Sequence, residues 1–329
     1  MKTAFRRLCA ALLAAGSLMA GGVARADDPA TGLMSLMVPY PAGGPSDAAA
    51  RQFAPVLARE LGRQVIVENL GGVAGALAAQ KVLAAPADGR YLFQGSPNEV
   101  ILAPLANSAV KLRAEDFRLV HPSAEGVMVF VARSDLPANS IDELIALARK
   151  STAKPLSYGS VGVGSLYHLL MEKVHLQTGA PFTHAPYTGN APLLQDLGGG
   201  QIDFAVLVYS AAMGGLVQQG RLKLLGQLGA KRSELLKNVP SVSESEALKN
   251  FDYKIWSGFM VPVKTPQAIV ERLHKAIVAA LADPPLRAAI EAQTQLPVTP
   301  MSLAESQTFF ESETARYREI AKSINLQPQ

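Results

Sequence analysis

Cysteine is nearly missing from this chain of 329 residues: Cys9 is the single one. It stands directly behind Arg6-Arg7-Leu8, too close to the start for lipid attachment. Beyond it no disulfide, thiol nucleophile or cysteine-based metal site is possible. Long hydrophobic runs are equally scarce. Leu8 to Ala20 is almost wholly apolar but too short to span a bilayer, and no later segment is long enough. An excess of charge is also lacking. Lys2, Arg6, Arg7 and Arg25 lie at the start, and without them 27 Lys+Arg face 27 Asp+Glu. That balance gives no reason to expect nucleic acid or anionic membrane as a partner. Catalytic signatures are missing too. There is no Gly-x-Ser-x-Gly elbow, no His-Glu-x-x-His pair, and no Gly-Lys-Ser/Thr after a glycine-rich loop. His121, His168, His175, His184 and His274 have no metal-ligand spacing, so neither metal nor cofactor is expected.

What is present begins with an export signal. Lys2, Arg6 and Arg7 precede the apolar run, and Ala24-Arg25-Ala26 follows it as a small-x-small cleavage site. Residues 1–26 therefore read as a signal peptide cut after Ala26, and the product as a periplasmic protein. The remainder alternates strand-like and helix-like segments. Leu33 to Val38, Gln64 to Val67, Tyr91 to Phe93, Leu156 to Tyr158, Phe182 to Ala185 and Ile202 to Val208 read as strands. Helices are expected after most of them, including Val73 to Ala85, Leu166 to Gln177 and three that close the chain. This pattern predicts an α/β fold with mostly parallel sheets covered by helices on both faces. Val127 to Val131 and Ile255 to Val261 are apolar strands lacking a helix on one side. They suit two crossings between lobes, a hinge of the kind that lets lobes close on a ligand. The expected division is 27–126 plus 257–329 for one lobe and 127–256 for the other.

Three strand-to-helix junctions are rich in glycine: Val38 to Asp47, Gly159 to Ser165, and Thr188-Gly189-Asn190. A helix start leaves backbone N–H groups without intrahelical partners, and its dipole favours an anion. Ligands in such sheets bind at the carboxyl ends of strands. A shared cleft explains three such junctions better than three unrelated turns. Gly43, Gly44, Ser46, Ser160, Gly164, Ser165 and Gly189 would supply its N–H and hydroxyl donors. Asp47 is expected to cap its helix and hold the loop, and Asp203 to fix a turn or reach the site. Glu99 reads as a solvated loop acid or as a carboxylate facing the cleft. Ser160 or Ser165 with His168 or His184 could alternatively serve a secreted hydrolase. A ligand sensor docking to a membrane signalling partner is the third possibility.

The order of motifs resembles a known family. Val-Pro-Tyr-Pro-Ala-Gly-Gly-Pro-Ser-Asp at 38–47 is followed by Val67-Glu68-Asn69 and Ala85-Pro86-Ala87-Asp88-Gly89. Tyr158-Gly159-Ser160-x-Gly162-x-Gly164-Ser165, His184-x-Pro186-Tyr187-x-Gly189-x-Ala191-Pro192 and Gly200-Gln201-Ile202-Asp203 come next. Lys231-Arg232-Ser233 and Val239-Pro240-Ser241-Val242 complete the set. Together they look like the Bug-type, TctC-like solute-binding proteins of tripartite tricarboxylate transport systems. The resemblance implies a two-lobed, type II periplasmic-binding-protein fold. It also implies a monomeric receptor that takes a small organic carboxylate or its amide to membrane permease subunits. In that family the loop matching Tyr40, Ala42, Gly43, Gly44, Ser46 and Asp47 holds the ligand, with Ser96, Asn98, Ser160, Gly162, Gly164, Ser165, Thr188 and Gly189. Asp203 and Tyr209 complete the candidate set. This chain departs from the family at Pro97 to Val100, at Thr188 in place of a lysine, and at Val208-Tyr209. Each change removes or reverses polarity near the expected cleft. A Glu99 facing the ligand would repel a second carboxylate.

Overall fold

The computed structural model describes residues 32–328, so the signal segment and its cleavage point lie outside the described residues. Strand β1 (Met34–Val38), helix α1 (Pro45–Leu61), β2 (Val65–Asn69), α2 (Ala76–Ala84) and β3 (Tyr91–Gly95) form a parallel βαβαβ unit. Every residue of β1 is buried, as a central strand covered on both faces requires. The stripe Ala50, Phe53, Ala54, Leu57 and Leu61 of α1 packs onto this sheet. There the Phe53 ring meets Phe259 edge-on, 4.8 Å between centroids.

Strand β4 (Phe117–Gly126) then passes through Val127 into β5 (Met128–Arg133), which belongs to a second sheet. That sheet collects β6 (Leu156–Ser160), β7 (Phe182–Pro186), β8 (Phe204–Val208) and β9 (Leu222–Gln227). Around it lie α3 (Ile141–Lys150), α4 (Leu166–Thr178), α5 (Asn190–Gly198) and α6 (Ala211–Gln218). The chain returns through β10 (Ile255–Pro262), α7 (Gln267–Ala282), α8 (Pro284–Ala292), β11 (Gln295–Pro297) and α9 (Leu303–Ser323). Strand orders are β11-β4-β10-β3-β1-β2 in the first sheet and β7-β6-β8-β5-β9 in the second. Parallel pairing is confined to β2-β1-β3 and β7-β6-β8; every pair made by β4, β5, β9, β10 or β11 is antiparallel. The sheets are therefore mixed rather than mostly parallel, because the strands near the lobe junction run back against the others.

Gly126 and Ile255 are register partners, so the outgoing strand and the returning one lie side by side. The Ala247 amide still bonds Asp142 of α3, whereas Lys254 O accepts from Tyr317 of α9. Strand β10 lies wholly in the first sheet. Helix α2 starts at Ala76, three residues later than its alanine-rich sequence suggests. Gly72, Val73, Ala74 and Gly75 have φ of 120°, 51°, 49° and 88°. Helical backbone cannot begin until that left-handed turn ends.

Candidate functional site

The ends of β1 and β3 in one lobe face the ends of β6, β7 and β8 in the other across a cavity of about 70 Å³. A water-sized group needs about 10–15 Å³, which leaves room for roughly half a dozen. Tyr40, Gly44, Ser46, Gln94, Ser96 and Asn98 form the first-lobe wall. Val161, Tyr167, Asn190 and Val208 form the opposite wall, and Gly126, Ile255, Trp256 and Gln295 the floor at the lobe junction. No Lys, Arg, His, Asp or Glu lines it. Any ligand charge must be met by neutral donors and helix ends.

Which helix ends are free decides what the cavity can hold. Helix α1 starts at Gly44 beside the cavity, but the Gly43 amide is already taken, donating to Asp47 Oδ2 at 3.0 Å. Gly43 is therefore not a ligand donor here, and the Asp47 carboxylate tightens the loop instead. Its pKa is held below the ordinary value by Arg51 and the Gly43 amide, which outweigh partial burial. Asn69 Nδ2 donates to Tyr40 O at 3.0 Å and pins the same loop from below.

The start of α4 is occupied as well. The Leu166 amide donates to Asn98 Oδ1 at 2.7 Å, Gly164 N to His168 Nδ1 at 3.1 Å, and His168 N to Ser165 Oγ at 3.4 Å. Asn98 comes from the other lobe, so its side chain fills the place expected for a ligand anion and joins the lobes. The termini left at the cavity are those of α1 at Gly44–Ser46 and of α5 at Asn190, one from each lobe.

The remaining glycines of the candidate set meet the other lobe directly. A Cβ on Gly162 would stand 3.0 Å from Ala74 N, one on Gly164 2.2 Å from Ala106 Cβ, and one on Gly189 2.8 Å from Pro41 Cδ. These positions admit no side chain because the facing lobe packs there, with backbone at Gly162 and with the Ala106 and Pro41 side chains at Gly164 and Gly189. Ala42 and Thr188 are exposed at the rim.

Ser160 pairs with His184, Oγ to Nε2 at 2.7 Å, and His184 stacks on His168 with centroids 4.3 Å apart. Burial and the neighbouring His168 push His184 down to about 4, so it is neutral near pH 7. Ser160 is fully buried, and its hydroxyl also accepts from Gly162 N and donates to Gly162 O, both at 3.1 Å. A hydroxyl so enclosed holds a turn and is not presented to a substrate. Ser160→Ala would leave the buried Gly162 amide without an acceptor. It is expected to lower stability by about 1–3 kcal/mol in urea unfolding, and an unchanged midpoint would contradict this role.

Asp203 lies at the opposite end of the second sheet. It immediately precedes β8, pairs with Arg133 at 3.0 Å and accepts from Ser157 N at 2.8 Å, so it fixes a turn remote from the cavity. Tyr209 follows β8 beside the cavity, its amide bonded to Val127 O at 2.8 Å.

Glu99 is neither solvated nor on the cavity wall. It is fully buried in a wide helical turn, Asn98–Leu102, behind Ser96, whose amide donates to Glu99 Oε2 at 2.5 Å. A Cβ on Gly75 would be 2.4 Å from its Cγ, so the left-handed turn closes over it. Burial raises its pKa to about 7. Burial and the Glu99 charge together drive the Tyr40 phenol well above its ordinary value. Gln94 and Tyr167 line the cavity with no signal in local sequence, whereas Trp256 lies on the apolar hinge strand, where an aromatic could be expected either to pack or to touch ligand. Among the described residues no group of His, Cys, Asp and Glu could hold a metal ion.

Known proteins match this arrangement along nearly its whole length. A family model described as the tripartite tricarboxylate transporter family receptor, TctC, matches residues 49–326. A UPF0065 protein of Bordetella pertussis is 31% identical over 312 residues, 95% of each chain. The solved periplasmic binding protein BugD has a TM-score of 0.83 at 27% identity, covering 91% of this chain and 99% of its own. An R. palustris protein solved with adipate also gives 0.83, at 29% identity over 91% of this chain and 99% of that one. Two lobes, strand ends converging on a cavity and matches of this extent together make the chain a member of the TctC family, the receptors of tripartite tricarboxylate transporters.

Proposed function

We propose that this protein is exported, loses residues 1–26, and binds one small organic carboxylate or its amide between its lobes for delivery to tripartite permease subunits. The observation that carries this reading is the interlobe cavity, free of charged side chains and bounded by the starts of α1 and α5. Helix N-termini supply fixed partial positive charge and unpaired N–H groups, which suits a carboxylate without a salt bridge. Gly44, Ser46 and Ser96 hold the ligand from one lobe, Tyr167 and Asn190 from the other, and Tyr40 covers it. A ligand touching both walls favours the closed arrangement by its differential contacts. The relative with adipate supports the ligand class.

Titrating residues 27–329 with a panel of short carboxylates tests this. A member present at 100 times its dissociation constant is expected to stabilise the fold by about 2.7 kcal/mol, read as a rise in Tm. No shift with any carboxylate, and none by calorimetry, would remove the reading.

A further inference from the structure

Two buried polar groups at the cavity have no partner within the protein. Gln94 is 4% exposed, and its Nε2 donates to Ser46 O at 3.0 Å. That bond fixes which way the amide faces and leaves Oε1 as a buried acceptor with nothing to accept from. Trp256 is 3% exposed, and its indole N–H is a buried donor with nothing to donate to. Both residues line the cavity, on the neighbouring strands β3 and β10. Buried polar groups in native proteins are almost always satisfied, so such groups at a binding cavity describe what is to fill it.

An acceptor asks for an N–H or O–H, and a donor asks for a carbonyl oxygen. A second carboxylate satisfies only the donor, and it brings like-signed charge toward the Gln94 oxygen with no cation on the wall to offset it. The Glu99 carboxyl, one residue layer behind Ser96, adds to that penalty. An ammonium group would satisfy the acceptor, but it would be desolvated without a carboxylate on the wall.

Resting on the carboxylate-receptor reading above, we infer that Gln94 is a specificity-determining residue. It selects a monocarboxylate whose far end is a neutral primary carboxamide, over the matching dicarboxylate. The ligand carboxylate then takes the α1 and α5 termini, and the carboxamide N–H₂ the Gln94 oxygen. The preference is negative as well as positive, since a buried acceptor left facing an acceptor disfavours the wrong ligand.

Succinate, succinamate and levulinate test this directly, because they place O⁻, NH₂ or CH₃ at the same position. Glutarate, glutaramate and 5-oxohexanoate repeat the comparison one carbon longer. Calorimetric titration of residues 27–329 is expected to show the monoamide binding at least tenfold tighter than both partners in one of the two series. Gln94→Leu is expected to bring the ratio of monoamide to methyl ketone close to one. A diacid that binds as tightly as its monoamide overturns the inference, using the unaltered protein alone. So does an unchanged ratio in folded Gln94→Leu protein. Binding of other carboxylates but of neither series also overturns it and leaves the receptor reading standing. Binding of no carboxylate at all removes that reading instead.

Discussion

Gly164→Ala is expected to lower ligand affinity at least a hundredfold while leaving each lobe folded. Gly164 sits at φ +81°, and an added Cβ would lie 2.2 Å from the Ala106 Cβ of the facing lobe. That distance is far inside van der Waals contact, and Ala106 is buried, with 1% of its surface exposed. Relief comes from separating the lobes, and a ligand that bridges both walls then loses one. A competent state populated at one part in a hundred weakens apparent binding by the same factor. Gly179→Ala supplies the comparison. Gly179 also has positive φ, +67°, but an added Cβ there meets nothing within 4 Å. It carries the backbone strain alone, roughly 1 kcal/mol. Calorimetric titration with a bound carboxylate, alongside small-angle scattering, separates the two effects. Affinity in Gly164→Ala within threefold of the parent would show that the lobes need not meet there.

Glu99→Gln is expected to stabilise the protein in a pH-dependent way. Burial holds the folded-state pKa near 7, against 4.5 for the free side chain. Between those values the folded state binds more protons than the unfolded state, so the Glu99 contribution to stability falls as pH rises. The loss starts near pH 4.5, is complete above pH 7, and amounts to roughly 3 kcal/mol at 1.36 kcal/mol per pKa unit. Glutamine removes the titration. The advantage of the variant over the parent should be small at pH 4.5, grow to about pH 7, and be flat above. Depressed histidines such as His184 act with the opposite slope below pH 6.5, but they are common to both proteins and cancel in the difference. Urea unfolding of both from pH 4.5 to 8.5 reads the difference, and a pH-independent difference would contradict a Glu99 whose burial outweighs its hydrogen bonds.

The alternation of strands and helices was legible because it rests on local patterns. The β1 run and the helix that begins at Leu166 both form where sequence places them. Strand β4 was not. Its stretch Phe-Arg-Leu-Val-His-Pro-Ser-Ala-Glu-Gly carries Pro122 and four polar residues, Arg118, His121, Ser123 and Glu125. It enters the sheet only through register shifts against β10 at Ser257/Gly258 and Phe259/Met260. Of the candidate site, Tyr40, Gly44, Ser46, Ser96 and Asn98 reach the cavity wall, since strand ends and helix starts locate them without tertiary knowledge. The glycines of the second lobe were legible as special, but sequence does not say whether a glycine admits a ligand or a facing backbone. Asp203 stood near the right motif at the wrong end of its strand, because a five-residue strand separates the two edges of the sheet. Gln94 gave no signal, because its place depends on β3 pairing with β10, more than a hundred and fifty residues along the chain.

A crystal structure of residues 27–329 with a bound short carboxylate is the most direct measurement. Carboxylate oxygens within about 3.2 Å of backbone N–H groups at Gly44–Ser46 or Asn190, with Asn98 still bonded to Leu166, is the expected result. A ligand carboxylate held elsewhere by Arg or Lys side chains, with those helix starts facing only solvent, would contradict it.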